Sequence, residues 1–152
     1  MKKILIIIGA VFLVLAIISI IGFSFLAVKG ASLDKESKTY VDKVTPMILA
    51  NLNKETLFRY ADDQLKNSAK PEEFEKIFNW FLKLGKFKEY KGAKGQANIS
   101  INTKSGKVIT GYYEAQAEFE TGPATIKITT IKKGNDWRIT GFHINSLALV
   151  NE

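Results

Sequence analysis

An α+β fold, with helices packed on one face of an antiparallel sheet behind an apolar N-terminal helix, is what the sequence predicts. Three observations carry that reading. Ile4–Val28 is a run of 25 residues with no charged side chain. Apolar residues between Leu33 and Leu84 then recur at the helical period of about 3.6. After Gly85 the period changes to about 2, and short turns separate long alternating segments. Helices followed by a meander of strands form two layers, which defines the class.

The apolar run comes first. At ~1.5 Å per residue a helix of this length exceeds the ~30 Å hydrocarbon core of a bilayer. A cleaved secretory signal also begins with basic residues, but its apolar stretch is usually about 7–15 residues. The best cleavage-like stretch, Val28-Lys29-Gly30, lies far from the N-terminus. Residues 1–29 are therefore expected to form an uncleaved single-pass transmembrane anchor, and residues 30–152 one α+β domain. Lys2 and Lys3 precede the run, and positive charge is retained on the cytoplasmic side. The expected location is the inner (cytoplasmic) membrane, with the N-terminus in and the domain periplasmic or otherwise extracytoplasmic. Gly9, Ser19, Gly22 and Ser24 lie in the run without forming a GxxxG face, and the run lacks the Glu that a type IV pilin helix needs.

The domain reads in order. Leu33–Leu52 is a helix with Ser32 as N-cap, Asp34 and Glu36 in its first turn, and Tyr40, Val41, Val44, Ile48 and Leu52 on one face. Pro46 lacks a backbone donor and is expected to kink or interrupt it. A second helix covers Lys54–Lys66 with Asn53 as cap. The third covers Pro71–Leu84, where Pro suits the first helical position and Gly85 the stop. Its stripe is Phe74, Ile77, Phe78, Phe81 and Leu84, with Trp80 beside it. Strands follow at Gln96–Thr103, Val108–Glu120, Ala124–Lys132 and Trp137–Leu147. Along the second, Tyr113, Ala115, Ala117 and Phe119 face one way and Tyr112, Glu114, Gln116 and Glu118 the other.

These elements resemble a known family. Two helices, a Pro-led helix leaving through Phe81-Leu82-Lys83-Leu84-Gly85-Lys86-Phe87, and a closing strand Gly134-Asn135-Asp136-Trp137-Arg138-Ile139-Thr140-Gly141-Phe142-His143-Ile144 are similar to small bacterial members of the nuclear transport factor 2-like (cystatin-like cone) superfamily. The resemblance covers about Leu33 to Leu147. It implies a curled sheet closed into a cone, and it supports a fold more than a function. Independently of it, Trp137 after a turn can close the end of a curved sheet, and Gly141 allows a bend or bulge.

Composition excludes much chemistry. There is no Cys, hence no disulfide, thiol nucleophile, thiolate metal site or lipobox. His143 is the only histidine, so a His-based metal cluster cannot form. Catalytic cones place acid–base residues in their pocket, and candidates for that role here are Tyr60, Asp62, Asp63, Tyr112, Glu114 and His143. Asp62 and Asp63 read as solvated, Glu114 as part of a wet strand face, and His143 as a strand residue, so no catalytic, cofactor-binding or metal-binding residue is assigned. Gly92-Ala93-Lys94-Gly95 lacks the spacing of a phosphate loop. With Lys2 and Lys3 set aside, 20 basic against 15 acidic residues leave +5. Lys83, Lys86, Lys88, Lys91 and Lys94, interleaved with Phe87 and Tyr90, could suggest nucleic acid, but they read better as a solvated strand edge. The expectation is a non-catalytic accessory protein, held to lipid by its helix and binding another envelope protein or membrane complex. A small apolar or lipidic ligand in the cone is the alternative, and an enzyme with pocket acids the third.

Overall fold

The computed structural model describes residues 30–102 and 106–150, so the expected anchor over residues 1–29 lies outside them. Among the described residues no helix is long and apolar enough to cross a membrane. By its contacts the chain divides into Met1–Leu33 and Asp34–Glu152, and the second unit is described here. Residues 30–50 are helical, and the part inside this unit, residues 34–50, is termed α1. Then come α2 (Lys54–Tyr60), α3 (Asp63–Lys66) and α4 (Pro71–Phe81), which ends in the 3-10 turn Leu82–Leu84. Four strands complete the unit: β1 (Phe87–Asn102), β2 (Gly106–Phe119), β3 (Gly122–Lys133) and β4 (Asp136–Asn145). They form one antiparallel sheet in the order β1-β2-β3-β4. The fold is thus α+β, as the change of period predicts.

Alternation decides which face the helices take. Tyr113, Ala115, Ala117 and Phe119 of β2 and Ala124, Ile126 and Ile128 of β3 are buried, in one core with Val41, Val44, Ile48 and Leu49 of α1 and Phe74, Phe78 and Phe81 of α4. Small Ala side chains on β1–β3 let α1 approach the sheet closely. The opposite face carries Tyr112, Glu114 and Lys127, all exposed.

The helices differ from expectation in three ways. α1 is not interrupted at Pro46, because burial of Val44, Ile48 and Leu49 on its inner side outweighs one missing backbone bond. The expected Lys54–Lys66 helix breaks at Ala61. There Asp62 N donates to the Ile139 carbonyl at 2.8 Å, and Ala61 makes a parallel bridge to Ile139. The chain pairs with β4 and then restarts as α3, with Asp62 as its cap. Ile77 is exposed on α4, whereas Gly85, with φ of 71°, ends the helix in a conformation that favours glycine.

β1 begins nine residues earlier than predicted. Register shifts between Phe87 and Glu89 and between Tyr90 and Ala93 break its alternation, so its Lys- and Gly-rich half does not look like a strand. A further shift opposite Thr129/Thr130 lies beside Gly141, as that glycine suggests. β4 ends at Asn145 rather than Leu147, because Ser146 caps a 3-10 turn over Leu147–Leu149. Trp137 is buried under the Lys132 ammonium, 5.7 Å from its ring centroid.

Each sheet edge is met by the helical layer, β4 at Ile139 and β1 at Ala93 and Ala97. Asp34 Oδ1 accepts from Ala97 N at 2.6 Å, and Asp42 Oδ1 accepts from Ala93 N at 3.1 Å, so α1 caps the free edge of β1. The two spacings match. Eight helical residues rise ~12 Å and four strand residues ~13 Å. α1 therefore runs antiparallel to β1. Asp42 also accepts from Tyr90 Oη at 2.7 Å and pairs with Lys38 at 2.5 Å. Nearby, the Tyr113 ring lies across the β1–β2 ladder, with its hydroxyl 2.5 Å from Ser37 Oγ. Gly111 makes room for that ring, since a Cβ there would meet Tyr113 Cε2 at 2.8 Å.

Burial pushes the Asp42 carboxyl up, but the hydrogen bonds from Lys38, Tyr90 and the Ala93 amide outweigh it and hold it below its ordinary value. Folding therefore favours the ionised form. This stabilisation is complete above the ordinary carboxylate value of about 4 and is lost as pH falls through the folded value. Asp42→Ala should lower the stability of the detergent-solubilised chain by about 1.5–3 kcal/mol, measured by thermal unfolding at neutral pH. Asp42→Asn should flatten the fall in stability between about pH 5 and pH 2. An unchanged acid slope would remove Asp42 from the account of the α1–β1 contact.

Candidate functional site

The six acid–base candidates do not converge. Tyr60 donates its hydroxyl to Met47 Sδ at 3.3 Å, beside α1. Asp62 is buried, contrary to expectation. Its Oδ1 accepts from Gln64 N at 3.1 Å, and its Oδ2 lies 2.9 Å from Lys133 Nζ. The hydrogen bond from Lys133, followed by that from the Gln64 amide, holds its carboxyl below the ordinary value. Its role is that of a capped, paired structural anion. Asp63 is exposed and pairs with Lys66 on α3 at 3.8 Å. Tyr112, Glu114 and His143 lie on the outer sheet face, exposed. His143 Nε2 is 2.8 Å from Asn145 Oδ1, and the one contact between candidates is that of the neighbours Asp62 and Asp63, whose backbone N–H donates to the Asp62 carboxylate.

Other tyrosines serve the core rather than chemistry. Burial pushes Tyr40 up to about 12, against the opposing Arg138 cation. Burial, then the Asp42 carboxylate, raises Tyr90, and burial raises Tyr113. All three stay protonated and donate hydrogen bonds. In the Lys-rich segment the aromatic rings make contacts within the unit. Phe87 packs edge-on against Phe119 at 5.8 Å, Tyr90 is turned to Asp42, and Lys91 pairs with Glu118 at 2.9 Å. Among the described residues no group of His, Asp or Glu could hold a metal ion.

What the structure does assemble is a surface. Lys94, Glu114, Lys127 and His143 are neighbours in register across all four strands, a row of charged and polar side chains. Beside it Gln116, Thr125 and Asn145 form a shorter polar row. These residues floor one side of a groove of about 490 Å³ at the end of the sheet where β2 turns into β3. Its other wall is apolar, with Trp80 of α4, Pro123, Leu147 and Val150. Trp80 stacks on Phe81 at 6.0 Å and is 40% exposed, while Leu147 and Val150 are 78% and 72% exposed. The groove thus sets large apolar groups open to water beside polar groups able to donate and accept. The sequence reading missed the groove because Leu147 and Val150 reach it only through the terminal 3-10 turn.

Comparison with family models, curated proteins and solved structures finds no match to this chain.

The contrast between Asp62 and His143 is measurable. Asp62→Ala removes a cap and leaves Lys133 without its partner, and should lower the thermal stability of the chain by about 1–2 kcal/mol. His143→Ala, on an exposed strand face, should change it by no more than about 0.5 kcal/mol. The reverse order would show that His143 is held by structure and has a role beyond the groove wall.

Proposed function

We propose that the chain is a membrane-anchored, non-catalytic interaction protein whose groove beside Trp80 receives a segment of another envelope protein or membrane complex. The anchor is the uncharged run Ile4–Val28, with the N-terminus in the cytoplasm and the α+β unit outside it. One observation carries the reading. Three exposed apolar side chains, Trp80, Leu147 and Val150, line one groove against polar Gln116, Thr125 and Asn145. Interface cores favour this kind of mixture, with aromatic anchors and a polar rim. The scattered acids and the hydrogen-bonded tyrosines favour binding over catalysis.

In family terms the reading is an offshoot of the nuclear transport factor 2-like cone, supported by the order of helices before a meander and by the bulge beside Gly141. The lipidic-ligand alternative draws on the groove's volume, which falls within the ~300–1,000 Å³ of small-molecule sites.

Leu147→Glu with Val150→Glu tests the groove. The full chain is extracted from native membranes in mild detergent, and proteins that co-purify are quantified by mass spectrometry. The double variant should lose at least about tenfold of one specific partner, the effect of ~1.4 kcal/mol, while Lys66→Glu retains it. Equal recovery in both variants would sink the groove reading. Loss of a bound lipid rather than a protein would favour the ligand alternative.

A further inference from the structure

We propose that the outer face of the sheet binds an acidic glycan, one with a carboxylate on every second sugar, and that Tyr112 is the platform for one of its rings. The site shares no lining residue with the groove beside Trp80 and does not rest on that reading. Register builds it from two adjacent rows. Gln96, Tyr112, Thr129 and Gly141 are neighbours across the four strands, and Lys94, Glu114 and Lys127 are neighbours across β1–β3. Tyr112 is 55% exposed. Together with Lys94, Glu114, Lys127 and Thr129 it lines an open depression of about 350 Å³, within the ~300–1,000 Å³ of small-molecule sites. Gly141 keeps the floor flat beside Thr129, since a Cβ there would meet Thr129 Oγ1 at 3.2 Å. Past Thr110 and Ile131 the β1–β2 pair continues as a two-stranded ribbon, where Ile99 and Ile101 are exposed, and the site stops short of it.

The charges of the site are uncommitted. Other lysines of the unit are paired, Lys38 with Asp42, Lys91 with Glu118 and Lys133 with Asp62. Among the described residues Lys94, Glu114 and Lys127 form no ion pair, although Glu114 stands between the two lysines. Two strand spacings of ~4.8 Å put those lysines roughly 10 Å apart. The order plus, minus, plus selects the ligand. A nucleic acid or a run of acidic residues would set negative charge against Glu114, which discriminates against it. A glycan with carboxylates on alternate sugars sets one on each lysine and a hydroxyl between them, and a hydroxyl can donate to Glu114. The lysines are about as far apart as two sugar rings in an extended chain, so the glycan runs across the strands. Tyr112 lies ~7 Å along β2 from Glu114. There the apolar C–H face of a sugar can rest on its ring, with Gln96 and Thr129 on either side to meet the hydroxyls.

The full chain, held in a zwitterionic detergent free of sugar, is titrated with a hexasaccharide that alternates glucuronic acid with N-acetylglucosamine. Binding is read by isothermal calorimetry. Tyr112→Ala, and Lys94→Ala together with Lys127→Ala, should each weaken it at least about tenfold. Tyr112→Phe keeps the ring and should retain it. Leu147→Glu, in the groove, should leave it unchanged. These side chains are exposed, so the thermal unfolding of every variant should match that of the original chain. No binding of the hexasaccharide at millimolar concentration, or binding that Tyr112→Ala leaves intact, would overturn the proposal. Equal affinity for hexaglutamate would overturn it in favour of unselective attraction of anions. Equal affinity for the neutral N-acetylglucosamine hexamer, with the lysine variants silent, would overturn the acidic class in favour of a neutral glycan.

Discussion

Asp34 and Asp42, on one side of a single helix, accept hydrogen bonds from amides that β1 would otherwise leave bare at the edge of the sheet. Hydrogen bonds to a charged acceptor contribute about 1.5–3 kcal/mol each, a sizeable share of the ~5–15 kcal/mol that holds a small domain. Their effect is also directional. Two anchor points along β1 fix the orientation and slide of α1. That position sets its apolar side, Val41, Val44, Ile48 and Leu49, against the alanines and isoleucines of β1–β3. It also sends the start of the helix to the ribbon end. Without the two carboxylates β1 would be an open edge, liable to pair with another chain.

The two ends of the unit then differ in kind. At the ribbon end lie α1's start, the exposed isoleucines and exposed lysines. At the other lies the groove of Trp80, Leu147 and Val150. Of the acids that the sequence offered for chemistry, Asp62 is committed to Lys133.

Much of the fold was legible because its signals are local. The Pro71 start, the Gly85 stop, the Asn53 cap and the alternation of Tyr113 to Phe119 depend on neighbours in sequence. What sequence concealed depends on partners far along the chain. The break at Ala61 exists because β4 offers the Ile139 carbonyl. The first half of β1 reads as a loop because its bulges scramble the alternation, and its strand state rests on β2 on one side and Asp42 on the other. Asp62 looked solvated because Lys133 is distant in sequence. Of the candidate site, the polar half could be read from the alternation of Glu114 and Gln116. The apolar wall could not, since Trp80 reads as a residue beside the α4 stripe and Leu147 as the end of a strand.

The edge contact itself can be observed one amide at a time. Hydrogen exchange followed by NMR on the full chain in micelles resolves Ala93 and Ala97. Although they face the free edge of β1, both amides should exchange as slowly as those of the central ladder. Asp42→Ala should speed Ala93 well before it affects β2. If Ala93 and Ala97 exchange as fast as the amide of Ile101 on the open ribbon, α1 does not hold that edge, and the orientation of α1 on the sheet derived from it falls.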